Sequence, residues 1–162
     1  MNISFHLNGN PVEVETTADR RLVDILREDF SLLDTRSGCY AGRCGTCGIF
    51  FNGHLVYSCL IAAFAAQNAK VLTLEGIIDR PLFQDITAGF KRANYQPCRS
   101  CYQSKLLSLY ALFEESPVPD RFAIEKALLG RECKCLDMSS FMQAVSLIID
   151  ETRSRADVRH SI

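Results

Sequence analysis

The chain has 162 residues, 48% of them hydrophobic, and a formal net charge of −1 from 18 basic and 19 acidic side chains. That length suits one ordinary domain or two small ones, each with enough apolar residues for a modest core. So balanced a charge gives no electrostatic attraction toward nucleic acid or an anionic membrane, and the pairs Arg20-Arg21 and Lys91-Arg92 read as solvated faces.

Ile3, Phe5 and Leu7 are apolar at period two, NGNP at 8–11 reads as a turn, and Val12 and Val14 resume the alternation, which together predict a hairpin. Residues 18–30 change period. Leu22, Ile25, Leu26 and Phe30 share one helical face, with Thr17 or Asp19 as candidate caps. After a glycine-rich loop, GIFF, Asn52-Gly53 and HLVY predict a second hairpin, since Asn-Gly favours a two-residue turn. A short strand is expected at Val71–Leu74, closing a small α+β domain over residues 1–76.

Residues 77–162 read as helical. Phe83, Ile86 and Phe90 make one apolar stripe; Leu106, Leu109, Tyr110 and Phe113 make another. Asp120 is placed to cap a helix running through Leu129, which Gly130 would end. A fourth helix is expected after Ser140, with Gln143 completing a capping box and Phe141, Val145 and Ile148 facing inward. Four short amphipathic helices imply a compact bundle, with a polar tail frayed from about residue 153. The chain has no internal repeat and no low-complexity tract.

No stretch is long and apolar enough to span a bilayer, and His6, Glu13 and Glu15 interrupt any signal-peptide order in residues 1–30. The expected compartment is the cytoplasm, where eight clustered cysteines suit metal better than disulfides. They divide at the domain boundary. Cys39, Cys44, Cys47 and Cys59 form C-x4-C-x2-C with a fourth thiol after the second hairpin. That is the plant-type ferredoxin spacing for a 2Fe–2S cluster. Such a loop needs close backbone approach and N–H groups aimed at sulfur, which Gly38, Gly42, Gly45 and Gly48 permit. Structural zinc would more often show two C-x2-C knuckles.

Cys98, Cys101, Cys133 and Cys135 form C-x2-C and C-x-C, which read alone suit zinc as well as iron. A thioredoxin-like dithiol would require a βαβ setting that is absent from the pattern. Arg43, Arg99 and Lys134 each lie beside a cysteine, where they would either raise a cluster's potential or simply meet solvent. His6, His54 and His160 fall in a strand, a hairpin and the tail, in no catalytic arrangement.

Taken together, GCYAGRCGTC, YSCL and TLEG in the first half and PCRSC and ALLGRECKC in the second resemble the iron–sulfur subunit of the molybdenum hydroxylases, the xanthine dehydrogenase and aldehyde oxidase superfamily. The resemblance spans almost the whole chain. It implies a β-grasp ferredoxin-type domain followed by an all-α four-helix domain, each with one 2Fe–2S cluster. By it, Cys39, Cys44, Cys47 and Cys59 hold the cluster nearer a flavin, and Cys98, Cys101, Cys133 and Cys135 the one nearer molybdenum. It also implies pterin-facing roles for Gln96 and Cys135. Three segments depart from the family pattern. Pro97 displaces Gln96 by one position, Tyr102, Gln103 and Ser104 stand for Thr-Pro-Gly, and Leu136, Asp137 and Met138 stand for Thr-Gly-Tyr.

The implied activity is electron relay from a molybdopterin–molybdenum large subunit to an FAD-binding medium subunit, in a hetero-oligomer such as a dimer of heterotrimers. No substrate site is expected on this chain, nor a nucleic-acid or membrane partner. The alternatives are a free-standing ferredoxin-like carrier and a zinc-binding interaction module.

Overall fold

In the computed structural model, which describes residues 1–128 and 137–160 (the last six by backbone alone), the first alternating stretch forms β1 (Asn2–Leu7) and β2 (Asn10–Glu15). Ile3, Phe5 and Leu7 turn to the buried face while the residues between them face solvent. The turn is tighter than NGNP suggests. Asn8 and Gly9 alone make it, with φ of 51° and 89°, the left-handed pair a two-residue hairpin requires. Asn52 and Gly53 repeat the device, at φ of 50° and 87°, between β3 (Gly48–Phe51) and β4 (His54–Tyr57).

The fifth strand, β5, covers Lys70–Leu72 instead of Val71–Leu74, because Thr73 leaves the ladder to hydrogen-bond the Asn8 side chain. The sheet order is β2-β1-β5-β3-β4, with β1 and β5 parallel and β3 antiparallel to both its neighbours. A parallel pair demands a crossover, and α1 (Leu22–Glu28) lies on it. Leu22, Ile25 and Leu26 are fully buried and join Ile3, Phe5, Leu7, Ile49 and Val71 in one core. Each such side chain stabilises the domain by about 1.5–3 kcal/mol through burial.

The helix is shorter than the expected 18–30, and neither Thr17 nor Asp19 caps it. Arg21 precedes it in extended conformation, held by a β-bridge to Ala62, so helical geometry cannot begin earlier. Ser31, at φ 55°, has already left the helix.

Four helices follow: α2 (Pro81–Arg92), α3 (Tyr102–Glu115), α4 (Arg121–Leu128) and α5 (Met138–His160). Pro81 sits where its missing N–H costs nothing. Helix α3 is buried along every residue from Gln103 to Tyr110 and is the centre of its bundle. Gly89 of α2 lies flat against Ile148 of α5. Tyr95 stacks edge-on against Phe90 and Phe141, with centroids at 5.2 and 5.6 Å.

Asp120 caps α4 by accepting from Ala123 N–H at 2.7 Å. The expected end of that helix at Leu129 and Gly130 lies outside the described residues. The box at Ser140 and Gln143 is corrected: α5 starts earlier, and the Asp137 carboxylate accepts from the N–H groups of both Ser139 and Ser140. Each of its two oxygens takes one of these N–H donors, which the helix leaves without an internal partner. The backbone is helical through His160, into the stretch expected as a tail from about residue 153. No Gly or Pro interrupts residues 138–160.

The described residues divide into two compact units, Met1–Ile78 and a second beginning at Asp79. Among them, no helix is long and apolar enough to cross a membrane.

Candidate metal centre

The loop between α1 and β3 is tied at its base. Arg36 N–H donates to Thr46 O at 3.1 Å, and Thr46 Oγ1 returns to Arg36 O at 3.3 Å. Within it the chain turns left-handed at Tyr40, Gly42 and Gly45, with φ of 51°, 69° and 72°. These turns aim successive N–H groups inward. Cys39 Sγ accepts from Ala41 at 3.4 Å, Arg43 at 3.3 Å and Cys44 at 3.4 Å. Arg43 reaches Cys39 Sγ through its main-chain N–H, and both Arg43 and Arg99 are exposed.

Gly38 is crowded by side-chain atoms of the loop, and Gly42 holds a left-handed φ that favours glycine. A Cβ on Gly38 would lie 2.9 Å from both Cys44 Sγ and Thr46 Oγ1, and one on Gly42 would lie 2.7 Å from Leu60 Cδ1. Cys59 arrives on a short 3-10 turn, Ser58–Leu60, directly after β4. The buried Ser58 fixes that turn, donating from N–H at 3.0 Å and Oγ at 2.7 Å to Cys47 O. Cys47 and Cys59 are buried together with Val23, against Tyr57.

The surroundings split the thiols electrically. The N–H groups of Ala41, Cys44 and Arg43 lower Cys39 from its ordinary 9.0 to about 6. Burial pushes Cys47 up to about 12. The Cys44 thiol lies against Cys39 and the Cys59 thiol against Cys47. Cys44 also acts on Cys47, so the four thiols neighbour one another across the loop and the turn after β4; among the described residues no three Cys, His, Asp or Glu side chains are placed to hold a single ion. Four soft donors on one loop and the turn after β4, one of them with N–H groups already aimed at its sulfur, suit two bridged metal ions with two thiolates each. A 2Fe–2S cluster fits this donor set.

In the second unit, Cys98 and Cys101 share one turn, with Cys101 N–H and Tyr102 N–H donating to Cys98 O at 2.9 and 3.0 Å. Both thiols are partly exposed. Cys133, Cys135 and Lys134 lie outside the described residues. Behind the thiols, α3 buries polar groups. The amide atoms of Gln103 and the Ser104 hydroxyl have no hydrogen-bond partner among the described residues, while Lys105 Nζ meets Tyr95 OH at 2.9 Å. Buried polar atoms normally find partners, and these three comprise one amide donor, one amide acceptor and one hydroxyl that can do either. Gln96 is exposed and lines, with Phe90, Lys91, Tyr95, Pro97 and Tyr102, a hollow of about 370 Å³.

Sequence reasoning missed Thr46, whose hydroxyl meets Cys44 Sγ at 3.1 Å, and the clasp of Ser58 on Cys47. It also missed Arg21 and Asp24, which reach Tyr40. Thr46 and Ser58 stood beside cysteines in the sequence, which was a readable signal; nothing local marked Arg21 and Asp24.

A sheet crossed by one helix, with four thiols on a tight loop and the turn that follows, defines a plant-type ferredoxin-like domain, here continued by a helical unit carrying a C-x2-C turn. Residues 5–69 match the 2Fe-2S iron-sulfur cluster binding domain family. The chain is 31% identical over 150 residues to the nicotinate dehydrogenase small FeS subunit of Eubacterium barkeri, covering 93% of this chain and 96% of that one. It is 33% identical over 142 residues to a probable xanthine dehydrogenase subunit of Bacillus subtilis, covering 88% and 82%. Among solved structures, quinoline 2-oxidoreductase from Pseudomonas putida 86 superposes with a TM-score of 0.81 at 28% identity, over 95% of this chain and 96% of that chain.

The chain belongs to the family of iron–sulfur small subunits of the molybdenum hydroxylases. It has that family's two-domain α+β fold, with a β-grasp 2Fe–2S domain first. The family serves electron transfer, and its named members are subunits of oxidoreductases.

Proposed function

We propose that the chain is the electron-relay subunit of a molybdenum hydroxylase of the xanthine dehydrogenase type. It holds one 2Fe–2S cluster on Cys39, Cys44, Cys47 and Cys59 and a second on Cys98, Cys101, Cys133 and Cys135. When bound, each cluster takes up and releases one electron at a time. The observation that carries the reading is the nest of three N–H groups around Cys39 Sγ, with Cys47 and Cys59 buried together nearby in the same unit. N–H donors at a thiolate favour added negative charge, which is what reduction brings.

The two units are read as successive stations between a molybdopterin–molybdenum subunit, with Gln96 and Cys135 toward the pterin, and an FAD subunit. Substrate oxidation belongs to the molybdenum partner; the relatives' names include nicotinate, xanthine and quinoline enzymes. The assembly is a hetero-oligomer, such as a dimer of heterotrimers, in the cytoplasm, where thiols stay reduced for metal. The domain division is read at residue 76, two residues before the break between the compact units at Ile78 and Asp79, with the helical domain after it.

Replacing Cys44 and Cys101 separately by Ser tests the assignment. Each variant is expected to lose about half the bound iron and one of two electron paramagnetic resonance signals, since each unit carries its own ligands. Iron unchanged in both variants, or stoichiometric zinc in the native chain, overturns the reading. Purification from native extract without a flavin or molybdenum partner would leave a free carrier instead of a subunit.

A further inference from the structure

Tyr40 stands in the thiol loop with a φ of 51°. A side chain with a β-carbon strains that conformation, and it persists only where the surroundings impose it. They do so on both sides of the residue. Arg21 Nη1 donates to Tyr40 O at 3.2 Å, and its guanidinium carbon lies 4.9 Å from the centre of the tyrosine ring. Tyr40 OH donates to Asp24 Oδ1 at 2.8 Å.

Arg21 is itself anchored by main chain. It bridges to Ala62, Leu22 N–H donates to Ile61 O at 2.8 Å, and Ala63 N–H donates to Arg20 O at 2.8 Å. One residue thus ties the backbone beside Cys39 to the segment that follows Cys59. The left-handed turn at Tyr40 also orients the next N–H, that of Ala41, which leads the nest at Cys39 Sγ.

We infer that Arg21, Tyr40 and Asp24 form a clamp that positions the N–H nest of Cys39 and so sets the reduction potential of the cluster in this unit. The inference rests on Cys39, Cys44, Cys47 and Cys59 being its ligands. All three are positioning residues, acting through the loop backbone. Uptake of one electron by a cluster held here would reduce an iron and make the cluster and its thiolates together one charge more negative, which well-aimed N–H donors at sulfur stabilise. A loosened clamp therefore lowers the potential.

The test is a redox titration of the full iron-loaded chain, followed by electron paramagnetic resonance, with iron and sulfide assayed alongside. Tyr40→Phe removes one hydrogen bond and no charge. Asp24→Ala removes an anion, which by charge alone would raise the potential, whereas a lost anchor lowers it. Both variants are expected to keep their iron, to lower the potential of one signal and to leave the other unmoved. An unmoved potential in Tyr40→Phe, or a raised one in Asp24→Ala, with iron retained, overturns the clamp. Should Asp24→Ala load poorly, Tyr40→Phe decides. A wild-type chain that takes up no iron sinks the ligand reading and the clamp with it, whereas loaded variants with unshifted potentials sink the clamp alone.

Discussion

Cys39 and Cys47 belong to one loop and meet opposite surroundings. Three N–H groups face the first, while apolar burial encloses the second. Only the thiolate is nucleophilic. In iron-free protein at pH 7, iodoacetamide is therefore expected to label Cys39 and spare Cys47, as read by peptide mass spectrometry. The sign follows from the donors. They favour the charged form, so the folded chain holds the Cys39 thiolate down to about pH 6 against an ordinary value of 9.0. Labelling should fall away as pH drops through that value, and the stability this group adds, complete above pH 9.0, is lost over the same descent. Equal labelling of both thiols would contradict the geometry. At this scale the cysteine spacing and the glycines were legible in the sequence, because a metal loop constrains both locally. The tyrosine at a left-handed position was not, since its support comes from Arg21, just before α1, and Asp24 on it, both distant in the chain.

Elements were legible where their signals were local. Asn8-Gly9 and Asn52-Gly53 announce their hairpins, and Asp120 announces α4. The 3-10 turns at Ser58–Leu60 and Ala63–Ala66 have no period to read, yet the first delivers Cys59. Helix α1 lost its first turn to a bridge with Ala62, a contact no local pattern contains. Gly89 shows how packing overrules propensity. Alanine there would gain about 1 kcal/mol of helix propensity. Its Cβ, however, would lie 2.3 Å from Ile148 Cγ1 and 3.0 Å from Ile148 N, and the second contact is backbone that cannot swing aside. Gly89→Ala is thus expected to destabilise the helical unit by about 1–3 kcal/mol, because overpacking outweighs propensity. Urea unfolding followed by far-ultraviolet circular dichroism measures it; a stabilised variant would mean that α5 yields.

The two units differ in how far their cores are complete without a bound group. In the first, Ile3, Leu22, Ile25, Leu26 and Ile49 are fully buried in a core of their own. Among the described residues, Thr35 Oγ1 is the single buried side-chain atom there without a hydrogen bond, whereas the second unit leaves both amide atoms of Gln103 and the hydroxyl of Ser104 so. An unsatisfied buried polar group costs about 1–3 kcal/mol. Removing iron is therefore expected to loosen the helical unit first. In hydrogen exchange after chelation, the amides of α3 should lose protection while those of β1, β3 and β5 keep theirs. Gln103→Leu separates this cause from a general loss of ligand binding. An apolar side chain of similar size removes the penalty, so α3 in iron-free Gln103→Leu should regain part of its protection. If the strands lose protection together with α3, or the leucine variant exchanges as fast as wild type, the bundle's dependence on its bound group does not run through Gln103.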